Sequence, residues 1–150
     1  KTVSGEDVGD IYVTYSLLDA IDIKASLSPY LIDEYPILSI AASQAKGITV
    51  MRGLSELRHK ESDRIKSIIS NLSKIGFNVT SKKDDISIKG SKKIEIIKQK
   101  KIKTYGDHRI AMSFIILGLL YENKVTIDDE SCISISYPDF RKHLKKLSTD

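Results

Sequence analysis

Disulfides, membrane spans and the familiar nucleotide loops are all missing from this 150-residue chain, and each absence narrows what it is. A single cysteine, Cys132, excludes an internal disulfide and fits a reducing compartment. With no His or Asn near it in sequence, Cys132 reads as a small buried residue rather than a nucleophile. The longest apolar stretch, Ile110 to Tyr121, is broken by Ser113 and Gly118 and is too short to span a bilayer. The opening Lys1-Thr2-Val3-Ser4-Gly5-Glu6-Asp7 lacks the apolar centre of a secretion signal, so a cytoplasmic location with no membrane partner is expected. It also lacks Met, which points to a fragment or an excised domain. No P-loop, no Gly-x-Gly-x-x-Gly and no metal-ligand spacing occurs, and no cofactor is expected.

What is present fits a globular domain. Hydrophobic residues at 41% and charged residues at 29% exclude a disordered chain, and the length suffices for a real core. The net charge of +4 is uneven. Lys82 to Lys103 holds nine lysines against Asp84, Asp85 and Glu95, a local +6 that leaves −2 for the rest. That run has no arginine and no aromatic for base stacking, so a nucleic-acid partner is not expected. Lysine alternates there with Ile86, Ile88, Ile94 and Ile96, the pattern of strands with lysine outside and isoleucine inside.

Local patterns give an alternation of elements. Ile11 to Tyr15 is β-branched and aromatic, predicting a strand, and Ala20 to Ala25 a second short one. Asp33 is a credible N-cap for a nearly all-apolar helix from Glu34 to Ala45, with Pro36 tolerated in its first turn. Gly47 ends it before a strand at Ile48–Met51. A helix is predicted over Lys60–Ile75, with apolar residues at Ile65, Ile68, Ile69, Leu72 and Ile75 and a stop at Gly76. Phe77–Thr80 and Ile86–Ile88 read as paired strands, and Ile94–Ile97 as another. A second apolar helix opens near Asp107 and runs to about Tyr121. Strands at Lys124–Ile127 and Ser131–Ser136 and a helix over Pro138–Leu147 close the chain. Asp33–Val50 and Asp107–Ile127 share one form: an acidic residue, an apolar helix, a turn and a β-branched strand. Glu61–Thr80 is a looser third copy. The implied class is α/β (α+β), with buried helices covered by sheets and three helix N-termini free to face one cleft.

Those N-termini carry unexpected charges. Lys60 and Arg64, then His108 and Arg109, are placed where the helix dipole disfavours cations, which calls for something to compensate; a bound anion does so. Lys60, Arg64 and Arg109 are therefore a candidate anion clamp, and Asp33, Glu61 and His108 candidate proton carriers. The plainer alternatives stay open: Glu61 and Arg64 as a surface i, i+3 pair, and His108 as a structural histidine. The residues alone indicate an α/β domain that binds a small, phosphorylated anion.

Four segments add a resemblance. Leu31-Ile32-Asp33-Glu34-Tyr35-Pro36, Glu56-Leu57-Arg58-His59-Lys60-Glu61-Ser62-Asp63-Arg64, Tyr105-Gly106-Asp107-His108-Arg109-Ile110-Ala111-Met112 and Tyr137-Pro138-Asp139-Phe140 resemble the enolpyruvylshikimate-phosphate synthase family, in its order and at about its spacing. The resemblance covers nearly the whole chain but only the family's C-terminal part. It implies a two-domain enolpyruvyl transferase fold of repeated βαβαββ units, here residues 1–150 of the C-terminal domain without its N-terminal partner. The implied reaction moves the enolpyruvyl group of phosphoenolpyruvate to the 5-hydroxyl of shikimate 3-phosphate and releases phosphate. Asp33 resembles the carboxylate that deprotonates the hydroxyl and Glu61 the acid at the methylene carbon. Lys60, Arg64 and Arg109 resemble substrate-holding cations, and His108 a supporting group. With half a site, the chain is expected to be inactive alone. One departure stands out: the family usually has lysine two residues before the aromatic-Pro-Asp segment, and this chain has Ile135, with Lys142 a candidate replacement. The sister enzyme acting on UDP-N-acetylglucosamine, and a non-catalytic binding domain derived from this fold, are the alternatives.

Overall fold

The computed structural model describes residues 2–91, 99–122 and 124–147. Two units, each built on a parallel β-α-β crossover, make up most of it. In the first, β3 (Asp22–Ile23) leads through a short turn of helix, α1 (Ser28–Leu31), into α2 (Tyr35–Gln44) and β4 (Ile48–Met51). A 3-10 turn at Ser55–His59 then leads to α3 (Arg64–Ile75) and the hairpin β5 (Asn78–Lys82) and β6 (Asp85–Lys89). The strands form one sheet in the order β3-β4-β6-β5, with β3 parallel to β4 and both other pairings antiparallel. The unit is thus βαβαββ, as the resemblance implies. The second runs from β7 (Lys100–Ile102) through α4 (His108–Leu119) to β8 (Val125–Ile127), parallel to β7, and continues as α5 (Ser131–Ser136) and α6 (Phe140–Leu147). Ahead of both lies a small hairpin, β1 (Thr2–Val3) with β2 (Glu6–Asp7).

Apolar periodicity explains the core. Ile65, Ile68, Leu72 and Ile75 recur at helical spacing on α3, and all four are buried. They meet Tyr35 and Ile40 of α2, Ile110, Phe114 and Leu117 of α4, and the inward residues Met51, Ile86, Ile88 and Ile102 of the strands. Helices packed on one another and covered by sheets are what the repeat predicted. Its first two copies are the helix-and-strand halves of the two parallel crossovers, with Ser39 and Ser113 both buried. The third is the second helix of the first unit. In β6 the alternation also holds, with Ile86 and Ile88 inside and Lys89 outside. The predicted strand at Ile94–Ile97 lies outside the described residues. Among the described residues, no helix is long and apolar enough to cross a membrane.

Several expectations require correction. Ile11 to Tyr15 is in no strand, and Ile11, Tyr12, Val13 and Tyr15 are almost fully exposed. Strand propensity measures fit to a pleated, half-buried surface, and no sheet edge among the described residues accepts this segment. Ala20–Ala25 contributes only the two residues of β3. Ser131–Ser136 is helix, not strand: Asp129 accepts hydrogen bonds from the Ser131 amide and hydroxyl, both at 2.8 Å, and the adjacent Cys132 and Ile133 are both buried. Alternation cannot bury consecutive residues. The helix expected from Lys60 begins at Arg64, because Asp63 is the true N-cap and accepts from the Lys66 amide at 3.0 Å. At α2 the capping position is Glu34, with no side-chain cap bond, and Asp33 stands before it.

Gly118 tests the packing of α4 on β8. A Cβ added there would lie 2.6 Å from the Val125 carbonyl oxygen. In an open helix Gly→Ala stabilises by roughly 1 kcal/mol. Here the obstacle is backbone, so Gly118→Ala is expected to destabilise by about 1–3 kcal/mol, read as a lower urea midpoint. An unchanged or higher midpoint would contradict this close approach.

Candidate active site

Arg64 is the largest fully buried side chain among the described residues. As the first residue of α3 it lies beside unpaired helix N–H groups, so the helix dipole opposes its charge. Three carboxylates from three segments compensate. Nε donates to Asp107 Oδ2 at 2.8 Å, Nη1 to Asp33 Oδ1 at 2.8 Å and Nη2 to Glu61 Oε2 at 2.6 Å. The compensation that the sequence left to a bound anion therefore comes from the protein itself.

Two more cations border the cluster. Lys60 Nζ lies 3.3 Å from Asp33 Oδ1. Arg109 Nη1 donates to the Asp33 carbonyl at 3.0 Å and to Glu34 Oε1 at 3.1 Å, and its Nη2 is 3.9 Å from Asp33 Oδ2. Burial pushes the Asp33 pKa up, but the hydrogen bonds from Arg64 and Lys60 and the charge of Arg109 outweigh it. The carboxyl is held below its ordinary value. Burial likewise works against the charge of Arg64, and Asp107, Asp33 and Glu61 overcome it, raising its pKa.

All six residues singled out from the sequence are thus placed at one end of the helices. Asp33, Glu61, Lys60, Arg64 and Arg109 form a connected set. His108 is half-buried at the first position of α4, and among the described residues no hydrogen bond or ion pair joins it to that set. Sequence reasoning missed Asp107 and Ser62. Asp107 is fully buried, caps α4 through the Arg109 and Ile110 amides at 3.0 and 3.3 Å, and accepts from Ser62 Oγ at 3.1 Å. Its role as an acidic helix opener was legible. Its pairing with Arg64, 43 positions away, was not. Ile135 is exposed on α5, and Lys142 pairs with Asp139 at 3.6 Å. Burial and the nearby Asp129 push the Cys132 thiol up, in keeping with a packing role.

Clefts open on two sides of the cluster. One, of about 250 Å³, is bounded by Asp33 and Arg109 and walled by Ile37, Met112 and Phe140. The other, of about 320 Å³, is bounded by Lys60, Glu56 and Ser28. The arrangement combines two partly exposed carboxylates, a buried cation between them and two partly exposed cations at the rim.

The family model described as EPSP synthase (3-phosphoshikimate 1-carboxyvinyltransferase) matches residues 1–144. The chain belongs to the EPSP synthase family. It is 46% identical to the 3-phosphoshikimate 1-carboxyvinyltransferase of Sulfurihydrogenibium sp. over 97% of its length and 33% of the relative's. It is 44% identical to that of Petrotoga mobilis over 98% of its length and 34% of the relative's. The EPSP synthase structure from Acinetobacter baumannii superposes with a TM-score of 0.74 at 33% identity, over 87% of this chain and 30% of that one. The chain therefore spans about a third of the length of the relatives it matches.

Two outcomes test the cluster. Arg64→Met leaves the buried Asp107 without its counter-charge and is expected to cost about 3–5 kcal/mol of folding stability in denaturant titrations. A loss below about 1 kcal/mol would show that the cluster is solvated. Because the folded-state pKa of Asp33 is depressed, its ionic contribution is full above the ordinary carboxylate range. That contribution disappears as pH falls through the depressed value. The Tm difference between the wild-type chain and Asp33→Asn should thus be constant near neutrality and shrink on acidification. A difference that grows in acid would reverse the assignment.

Proposed function

We propose that this chain forms one wall of the active site of a 3-phosphoshikimate 1-carboxyvinyltransferase, the name carried by its relatives. The observation that carries the reading is that Asp33 and Glu61, from separate segments, bind one guanidinium amid two further cations. Addition followed by elimination needs that combination. The 5-hydroxyl of shikimate 3-phosphate attacks C2 of phosphoenolpyruvate and gives up its proton, while the methylene carbon gains one. Then the C2–O bond to phosphate breaks and the methyl group returns a proton.

The depressed pKa of Asp33 keeps it ionised at neutral pH, so it enters as the acceptor that orients the hydroxyl and takes its proton. Glu61, about half exposed, serves as donor and later acceptor at carbon. Lys60, Arg64 and Arg109 hold the phosphate and carboxylate groups, each stronger in a site screened from water. His108 supports the same helix terminus. We assign residues 1–150 to the C-terminal domain. The remaining length of the relatives supplies the facing wall, and the protein works in the cytoplasm. The exposed Ile135 favours one second reading, a domain that binds without turnover, because an uncharged side chain stands where the family usually has lysine.

An amide NMR titration with shikimate 3-phosphate and then phosphoenolpyruvate tests the proposal. Shifts are expected at Asp33, Lys60–Arg64 and His108–Arg109, with no phosphate released by the chain alone. Absence of shifts at millimolar ligand would remove the preformed wall, and phosphate release by the isolated chain would remove the need for a facing one.

A further inference from the structure

The proton-transfer reading leaves Asp107 without a role, yet Asp107 is the most constrained acid in the cluster. Its carboxylate is fully buried and accepts from Arg64 Nε, Ser62 Oγ and the amides of Arg109 and Ile110 at 2.8 to 3.3 Å, and from Arg64 Nη2, which it shares with Glu61, at 3.5 Å. The partners on the other edge of Arg64 are of a different kind. Asp33 and Glu61 have side chains 42% and 48% exposed. Asp33 also has substitute cations in Lys60 and Arg109. Releasing either one from Arg64 delivers a carboxylate to water or to another cation. Releasing Asp107 would leave a buried, unpaired charge, which is far more costly.

We infer that Asp107 is a positioning residue that holds Arg64 permanently by its Nε edge, while Asp33 and Glu61 are exchangeable partners at the Nη edge. A small phosphate- or carboxylate-bearing ligand then takes their place on Arg64 without moving the guanidinium. Asp33 and Glu61 are freed towards the ligand by the same exchange. The identity of that ligand rests on the function proposed above; the manner in which Arg64 is held does not.

The ¹⁵N-labelled chain, without substrate, provides the test through the Arg64 Nε–Hε resonance. Hydrogen exchange of Hε should stay within about twofold of wild type in Asp33→Asn and in Glu61→Gln, and rise about tenfold or more in Asp107→Asn. The backbone amide spectrum reports whether each variant folds. Should Asp107→Asn fail to fold, the wild-type chain decides: acidification through the titration of Asp33 must leave Hε protected, and so must millimolar inorganic phosphate. Loss of protection with Asp33 protonation, loss in Asp33→Asn or Glu61→Gln, or unchanged exchange in a folded Asp107→Asn would each overturn the inference. A failed phosphoenolpyruvate titration leaves this result standing, and the reverse holds equally.

Discussion

The burial of one guanidinium at a helix N-terminus constrains everything around it. Arg64 is 1% exposed by side chain, at a position where the helix dipole opposes its charge. Such a group is tolerable only when its donors are matched by acceptors held in place. The acceptors arrive from three separate parts of the chain: Asp33 before α2, Glu61 in the linker before α3, and Asp107 at the start of α4. One residue thereby ties together three helix entrances, across sequence separations of 31, 3 and 43 positions. The apolar helices set the general shape, and this ionic junction fixes how their ends meet.

Charge balance in the junction is uneven by design of its geometry. Arg64 alone cannot neutralise three carboxylates, and of the two exposed members Asp33 is the one that Lys60 and Arg109 approach. The fully paired portion, Arg64 with Asp107, is buried. Asp33, Arg109 and Lys60 border the clefts, where water or a ligand can reach them. A site that binds a multiply charged anion and moves protons benefits from this division. The cations must be present before binding, yet not so well satisfied that the anion has nothing to gain.

Much of the fold was legible because its signals are local. Ile65, Ile68, Leu72 and Ile75 announce α3, Gly76 with φ of 121° ends it, and Ile48–Met51 is the strand that its β-branched residues predict. The failures share a different cause. Ile11–Tyr15 has strand composition but no sheet to join among the described residues, and Ser131–Ser136 is a helix that buries the consecutive residues Cys132 and Ile133, with Asp129 bonded to the Ser131 amide ahead of it. At the site, the identities of the charged residues were legible as violations of the helix-dipole preference. Their pairing was not, because Asp33 and Asp107 reach Arg64 only once both crossovers are folded. The start of α3 was misplaced for the same reason. Lys60 and Glu61 are drawn out of the helix, while Asp63 caps it three residues later.

Topology then explains why these three acids converge. Asp33 follows β3 and the short α1, Glu61 follows β4 and Asp107 follows β7, each lying in the connection from a strand to the long helix of its crossover or unit: α2, α3 and α4. β3 and β4 run parallel, as do β7 and β8, so each crossover returns its helix entrance to the same side of its sheet. Connections at the carboxyl ends of parallel strands are where such folds gather polar groups, since the helix amides there are unpaired and the loops escape the demands of core packing. In this chain the α2–α4 contact joins the two units, bringing Asp33 and Asp107 within reach of one side chain. Without the parallel crossover of the second unit, Asp107 would not emerge on this side, and Arg64 would lose its buried partner.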